Sequence, residues 1–183
     1  MRGIARDVAL WIFGYGSLLW RPDLPGDPPP RVGLVRGWER RLDQGSPDHR
    51  GVPERLGRVA TLVPTMDAAC WGAAFEVDDV DASHALETLD YRERGGYVRA
   101  EVDVALRDDL GRTVRAVTWV ASPENPFYLG PTSLEAMVSQ IAAAAGPSGT
   151  NRDYVLKLAA TLRAWDLADA HVFALERALR AAQ

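Results

Sequence analysis

Two short glycine-bearing segments, far apart in the chain, carry the side chains best suited to chemistry. The first, Phe13-Gly14-Tyr15-Gly16-Ser17-Leu18, offers backbone N–H groups, a phenol and a hydroxyl. The second, Arg92-Glu93-Arg94-Gly95-Gly96-Tyr97, offers one carboxylate between two arginines. Successive N–H groups in a glycine turn bind carboxylates or oxyanions, and a partly buried carboxylate serves as a general base. Together the two segments predict a substrate cradle and a base, and therefore an enzyme.

Both segments also have a purely structural interpretation. A Gly-x-Gly corner can end a strand and turn Tyr15 into the core. Glu93 can pair with Arg92 or Arg94 at the surface, where ion pairs contribute little. The residues by themselves leave these alternatives open.

A third segment, Asp48-His49-Arg50-Gly51, lies within a stretch from Asp43 to Gly57 that is expected to be a loop. Long ordered loops in compact domains are more often functional than idle. The charged groups of this segment suit a peptide-like substrate, and His49 is a candidate second acid–base group. A solvated loop is the alternative.

The composition narrows the class of protein. The 183 residues are 47% hydrophobic and 25% charged, which is ordinary for one globular domain with a real core. A net charge of -4 argues against a nucleic-acid or anionic-membrane surface, because both need a basic excess. Arg2, Arg6 and Asp7 interrupt the first apolar runs, so neither a signal peptide nor a membrane span is expected there.

The cysteine and histidine content predicts no disulfide and no metal site. Cys70 is the sole cysteine, which favours a reducing compartment and a cytoplasmic protein. Its apolar neighbours, residues 68–75, favour a buried inert thiol over a nucleophile. His49, His84 and His171 form no metal-ligand spacing with Cys70 or with a carboxylate pair.

The elements that must position these residues are predicted from hydrophobic periodicity and from glycine and proline signals. Strands are expected at 8–14, 31–42, 58–63 and 70–77, a helix at 81–90 with Asp81 as N-cap, a hairpin of strands from Tyr97 and at 113–120 with a turn at 108–111, and three C-terminal helices. Thr132-Ser133-Leu134-Glu135 fits a capping box for the first of those helices. Strands followed by helices predict an α+β domain, with the helices packed around a curved sheet or barrel.

At these motifs the sequence resembles the ChaC-type, glutathione-specific γ-glutamylcyclotransferases. The resemblance runs from about Trp11 to Ala181, which is expected to be the core of a single domain of residues 1–183. Its motifs are the two glycine segments, residues 48–53, Tyr128-Leu129-Gly130-Pro131, residues 145–149 and residues 171–176. Several motifs in the same order are much harder to obtain by chance than any one of them.

The resemblance implies a small mixed β-barrel flanked by helices, no cofactor, and glutathione as substrate. It implies that Gly14 to Leu18 line a γ-glutamyl pocket and that Glu93 is the proton acceptor. Phe13 and Tyr128 are included among the expected substrate-binding residues, as is Arg50, a candidate to grip the terminal carboxylate. The implied products are 5-oxoproline and cysteinyl-glycine.

Two other functions remain compatible with this sequence. One is a cyclotransferase acting on other γ-glutamyl amines or dipeptides, and the other is a non-catalytic metabolite-binding module on the same fold. The sequence also departs from the family pattern, since Arg94 stands where lysine is usual and Leu42-Asp43 stand where aromatic residues are common. The oligomeric state is not indicated by the residues.

Overall fold

The computed structural model describes residues 9–109 and 111–182. Five strands form a closed barrel in the spatial order β1-β3-β2-β4-β5. Their bounds are β1 Leu10–Gly14, β2 Arg31–Ser46, β3 Gly57–Val77, β4 Val98–Leu106 and β5 Thr113–Val120. Val8, the expected start of the first strand, and Leu110, in the expected hairpin turn, lie outside the described residues.

Strand β1 closes the barrel and explains its mixed character. It pairs antiparallel with β3 and parallel with β5. Four of its five residues are buried, and the strand carries no charged side chain. The first functional segment therefore leaves the barrel at the end of its most enclosed strand.

The long hairpin of β2 and β3 differs from the sequence expectation in two ways. The strands expected at 58–63 and 70–77 are one strand of 21 residues, and the expected loop from Asp43 begins only after Ser46. Pro64 lies inside β3, where β3 is paired with β2 alone, so its missing N–H costs no ladder bond to a second neighbour. The register shifts there, opposite Gly37, which has φ +78.

Within the described part of the chain four α-helices cover the barrel, and three of them pack against one another. They are α1 Asp79–Arg92, α2 Leu134–Ala143, α3 Asn151–Ala164 and α4 Ala170–Ala181. A two-residue hairpin, β6 Ala145–Gly146 and β7 Gly149–Thr150, separates α2 from α3. The buried stripes of α3 and α4 predicted from the periodicity contribute Val155, Leu158 and Leu175 to the core.

The predicted fold class is confirmed, while two helix starts were misplaced. The structure is an α+β mixed barrel with a helical C-terminal part. The N-cap of α1 is Asp78 and not Asp81. The N-cap of α2 is Ser133, whose hydroxyl accepts a hydrogen bond from the Ala136 N–H at 3.2 Å, one residue later than the capping box suggested.

Candidate active site

A cavity of about 210 Å³ opens where the end of β1, the C-terminus of α1 and the loop after β2 meet. The two glycine segments and the Asp48-His49-Arg50 segment, separated in sequence, all contribute to its wall. The wall contains these residues expected from the sequence to form a site: Phe13, Gly14, Tyr15, Gly16, Ser17, Leu18, Arg50 and Glu93. Tyr128 does not line it.

The corner after β1 depends on close approaches that only glycine permits. A Cβ on Gly14 would lie 2.6 Å from the Cβ of Leu18, within the single 3₁₀ turn Ser17–Leu19. Tyr15 is 6% exposed, and its hydroxyl donates a hydrogen bond to the Trp119 carbonyl. Among the described residues no acceptor is bonded to the N–H groups of Gly16 and Ser17. These two donors at the cavity wall are therefore available to a bound group.

A buried arginine that the sequence interpretation had assigned only to a strand supports this corner. The guanidinium of Arg40 donates to the Tyr15 carbonyl at 2.7 Å and also to the Trp71 carbonyl and the Asp169 carboxylate. In a trans peptide the N–H points opposite to the C=O, so the bond to Tyr15 directs the Gly16 N–H away from Arg40. Arg40 therefore sets the orientation of the peptide unit that carries one of the two free donors.

Glu93 lies at the C-terminal cap of α1, where its own N–H bonds the Leu89 carbonyl at 2.8 Å. The chain then turns sharply at Gly96, which has φ +89 and lies against the buried Asn125. The Asn125 side chain donates to the Gly95 carbonyl at 3.0 Å and so holds the turn. The glycine pair thus has the turning role expected for it, and it leaves the Glu93 carboxylate at the cavity wall.

The surroundings of Glu93 favour its protonated form. Its side chain is 22% exposed. Burial raises the pKa of Glu93, the positive charge of Arg92 opposes this rise, and the negative charge of Asp48 adds to it. A raised pKa brings a carboxyl group closer to the value useful for proton transfer near neutral pH.

Three phenols near Glu93, those of Tyr15, Tyr97 and Tyr154, lie in the cavity wall. Burial is the main cause that raises the pKa of Tyr15, of Tyr97 and of Tyr154, and the Glu93 charge adds to each rise. The Tyr97 hydroxyl donates to the Ala60 carbonyl at 2.7 Å, and the Tyr154 hydroxyl accepts from the Ala60 N–H at 3.1 Å. Sequence reasoning missed Tyr154, because a lone tyrosine on a helix stripe is most often a core residue.

Arg92 is a second functional candidate that sequence reasoning missed. Its Nε lies 3.7 Å from Glu93 Oε1, and its Nη2 donates to Ser17 Oγ at 2.9 Å. The structural alternative for Glu93 is an ion pair with a neighbouring arginine at the surface. The pair with Arg92 exists, but it lies at the cavity wall and not at the open surface. Arg94, the other candidate partner, is exposed and lies over the ring of Tyr91 at 4.4 Å.

The loop after β2 forms a further part of the cavity wall. The Ser46 hydroxyl accepts from the N–H groups of His49 and Arg50 at 3.3 and 3.0 Å, which fixes the turn. The Arg50 guanidinium lies 5.6 Å from the ring centre of Tyr154 and donates to the Thr150 carbonyl at 3.3 Å. Arg50 thus keeps part of its hydrogen-bonding capacity for a ligand.

Tyr128 and Cys70 lie away from this chemistry. Tyr128 pairs with Gln44 through an isolated β-bridge, and the pKa of its phenol is raised by burial and by the carboxylate of Asp43. The placement of Tyr128 in a substrate site therefore remains a prediction from the family resemblance alone. Cys70 is 2% exposed, as expected for an inert thiol, and burial raises its pKa to about 11.

Within residues 9–109 and 111–182, no three His, Cys, Asp or Glu side chains converge as a metal site. Over the same residues, no helix combines the length and apolar character needed to cross a bilayer.

The chain is similar in sequence and in fold to known proteins. The sequence matches the family model described as ChaC-like protein over residues 10–182. Proteins named glutathione-specific γ-glutamylcyclotransferase 1 are 43% identical in Danio rerio, over 97% of this chain and 92% of theirs, and 46% identical in Homo sapiens, over 82% and 68%. A crystal structure of a γ-glutamyl cyclotransferase specific to glutathione from yeast has a TM-score of 0.87 at 25% identity, covering 96% of this chain and 97% of that one.

Proposed function

The chain belongs to the ChaC-like protein family, and on that premise we propose that it converts glutathione into 5-oxoproline and cysteinyl-glycine. The observation that carries the proposal is the half-buried Glu93 carboxylate, which shares one cavity with the free N–H groups of Gly16 and Ser17. A base beside unpaired backbone donors is the arrangement that acyl transfer within a γ-glutamyl group needs.

The reaction is intramolecular, so positioning supplies much of the rate. The α-amine of the γ-glutamyl group attacks its own γ-carbonyl, a C–N bond closes the five-membered lactam, and the C–N bond to cysteine breaks. Well-oriented intramolecular reactions reach effective molarities of roughly 10⁵–10⁸ M. The atoms of the substrate are divided between the two products, so neither water nor a redox partner is consumed.

Glu93 serves in turn as base and acid. The α-amine is protonated at neutral pH and must lose a proton before it can attack, and the Glu93 carboxylate accepts that proton. The leaving amine of cysteinyl-glycine must gain a proton, which the neutral Glu93 returns. The burial that raises the pKa of Glu93 supports both steps, because the protonated form is not strongly disfavoured.

The remaining proposed residues bind the substrate and stabilise the transition state. The N–H groups of Gly16 and Ser17 donate to the oxyanion that forms on the γ-carbonyl, and one oxyanion-hole donor is worth about 2.7–4 kcal/mol in a serine protease. Phe13, Gly14, Tyr15 and Leu18 shape the γ-glutamyl pocket. Arg50, in the loop after β2, binds the terminal carboxylate of the glycine.

The test is incubation of the purified protein with reduced glutathione, with both products quantified for wild type and Glu93→Gln. We expect equal amounts of 5-oxoproline and cysteinyl-glycine from wild type, and a loss of both in the folded variant. Glu87→Gln, an exposed glutamate on the same helix, is the matched control and should retain wild-type turnover.

Three results would contradict parts of this assignment. Near-normal turnover by Glu93→Gln removes Glu93 as the base. Turnover of γ-glutamyl-alanine or γ-glutamyl-lysine in preference to glutathione supports a different γ-glutamyl substrate. A melting shift with glutathione and no product supports a binding module without catalysis.

Arg50→Ala separates binding from chemistry. We expect KM for glutathione to rise far more than kcat falls, because the carboxylate contact is made in both ground and transition states. An unchanged KM rejects the role of Arg50. The exposed Arg36, on β2 and outside the cavity, supplies the control substitution Arg36→Ala.

We also propose that residues 1–183 form one domain with a core from about 11 to 181, and that the protein acts in the cytoplasm. The single-domain proposal is supported by an apolar cluster that includes residues of both the barrel and the helices. A single cooperative unfolding transition is expected in calorimetry, and two separate transitions would contradict it. Cell fractionation tests the location.

A further inference from the structure

Arg92 connects two parts of the cavity wall that are far apart in the sequence, the segment after β1 and the end of α1. It is the last residue of α1, and its side chain is only 19% exposed. Its Nη2 reaches Ser17 Oγ at 2.9 Å, its Nη1 reaches the Arg21 carbonyl at 2.7 Å, and its Nε lies 3.7 Å from Glu93. Asp23, at 3.6 Å, is a further partner and is 54% exposed.

The chemistry of the two side chains fixes the direction of the hydrogen bond between Arg92 and Ser17. A guanidinium has donors but no acceptor, so Ser17 Oγ must accept from Arg92. No described residue accepts a hydrogen bond from the Ser17 hydroxyl, and Ser17 lines the cavity. The hydroxyl proton is therefore available to a bound group, and the adjacent positive charge polarises it into a stronger donor.

The same guanidinium acts on Glu93 in the opposite sense. The positive charge of Arg92 stabilises the ionised form of Glu93 and so offsets part of the rise in pKa that burial causes. The cavity thus presents a donor at Ser17 and an acceptor at Glu93, and both are held by one side chain. An oxygen and an ammonium group of one substrate molecule complement this pair.

We propose that Arg92 is a positioning residue that orients Ser17 as a hydrogen-bond donor to the substrate and holds Glu93 as the acceptor of the amine proton. This inference rests on the proposed function and adds to it a residue that does not itself touch the reacting atoms. A merely structural role is the alternative, since Arg92 also bonds the main-chain carbonyls of Arg21 and Pro22.

A double-mutant cycle between Arg92 and Ser17 separates the two roles. We expect Arg92→Met and Ser17→Ala each to lower kcat/KM for glutathione by about 10- to 100-fold, the scale of one charge-assisted hydrogen bond. If Arg92 acts through Ser17, the double variant falls no more than about threefold below Arg92→Met alone. Fully multiplicative losses would overturn the proposal.

Arg92→Lys keeps the charge and removes the planar fork. A lysine ammonium cannot reproduce the fixed geometry that reaches Ser17 and the Arg21 carbonyl together, so we expect a loss of about tenfold in kcat/KM. Because the charge beside Glu93 remains, the acidic limb of the pH profile should stay at the wild-type position. This variant also keeps the proposal testable if Arg92→Met fails to fold.

The pH profile of kcat/KM is the second readout. The groups that act on Glu93 are Arg92 on its own helix and Asp48 from the loop after β2, and the phenols of Tyr15, Tyr97 and Tyr154 face it from neighbouring elements. Removal of the positive charge in Arg92→Met should move the acidic limb to higher pH. If the acidic limb of the profile lies at the same pH in wild type and in Arg92→Met, the proposed effect of Arg92 on Glu93 is overturned.

Controls distinguish failure of this inference from failure of the proposed function. Arg115→Met removes an exposed arginine that pairs with Glu101 and Asp103 on the barrel surface, and it should leave kcat/KM unchanged. If wild type does not turn over glutathione, the proposed function fails, and the same cycle is measured as Kd for glutathione by calorimetry. Coupled effects on Kd then support the positioning role, whereas additive effects or no binding overturn it.

Discussion

Replacing Arg40 by methionine is expected to destabilise the protein strongly and to disturb the corner after β1. Arg40 is 1% exposed, and its removal leaves the Asp169 carboxylate, which is 11% exposed, without its buried partner. It also leaves the Tyr15 carbonyl without its donor at 2.7 Å. Loss of one member of a buried ion pair costs about 3–5 kcal/mol of unfolding free energy, a large part of the total for a domain of this size.

Urea denaturation followed by circular dichroism measures this loss. For a protein of 183 residues the same change lowers Tm by about 6–20 °C. Arg40→Met/Asp169→Asn should be more stable than Arg40→Met, because a neutral amide is less costly to bury unpaired and still caps α4 through the Val172 N–H, which Asp169 now bonds at 2.9 Å.

Activity of the folded variant then reports on the corner itself. Measured well below its Tm, Arg40→Met should have a lower kcat, because the Gly16 N–H is no longer held in one direction. Arg36→Met, an exposed arginine on the same strand, is the control. A loss of stability below about 1 kcal/mol, or a loss that Asp169→Asn does not relieve, would refute the reasoning.

Three further predictions concern stability and its coupling to the site. Because burial raises the pKa of Glu93 above its ordinary 4.5, the folded chain binds this proton more tightly than the unfolded chain, and ionisation lowers stability as pH rises. In thermal melts the Tm of Glu93→Gln should therefore be higher than that of wild type at pH 7 and equal to it near pH 4. A difference in Tm between the two proteins that is the same at both pH values contradicts this. Gly96→Ala should lose about 1–3 kcal/mol in urea denaturation and also lower kcat, since at φ +89 its Cβ would lie 2.5 Å from the Asn125 amide in the turn that holds Glu93. In the same assay Ser133→Ala should lower the free energy of unfolding by about 1 kcal/mol, because the substitution removes the N-cap of α2, while kcat/KM stays at the wild-type value.

The sequence by itself determined the local elements and the chemistry-bearing segments. The alternation of β4 and β5, the periodicity of α3 and α4 and the glycine turn after Glu93 all follow from interactions between near neighbours in the chain. Patterns among near neighbours do not predict that a long strand continues through a proline. The sequence therefore predicts two strands where the structure has the single strand β3. The α+β class required only the order of strands and helices, whereas the small mixed barrel was implied by the family resemblance.

The tertiary structure decided which of these segments meet. The parallel pairing of β1 with β5 closes the barrel, and the contact of Ser17 with Arg92 joins residues 75 positions apart. Arg40 and Asp169 are 129 positions apart, and nothing local distinguishes Arg40 from its partly exposed neighbours Glu39 and Arg41. Such partners are selected by long-range register and burial, since a buried charge must find its counter-charge wherever the fold brings one close. For the same reason Arg92, not Arg94, lies beside Glu93 in the cavity wall, while Tyr128 lies outside it.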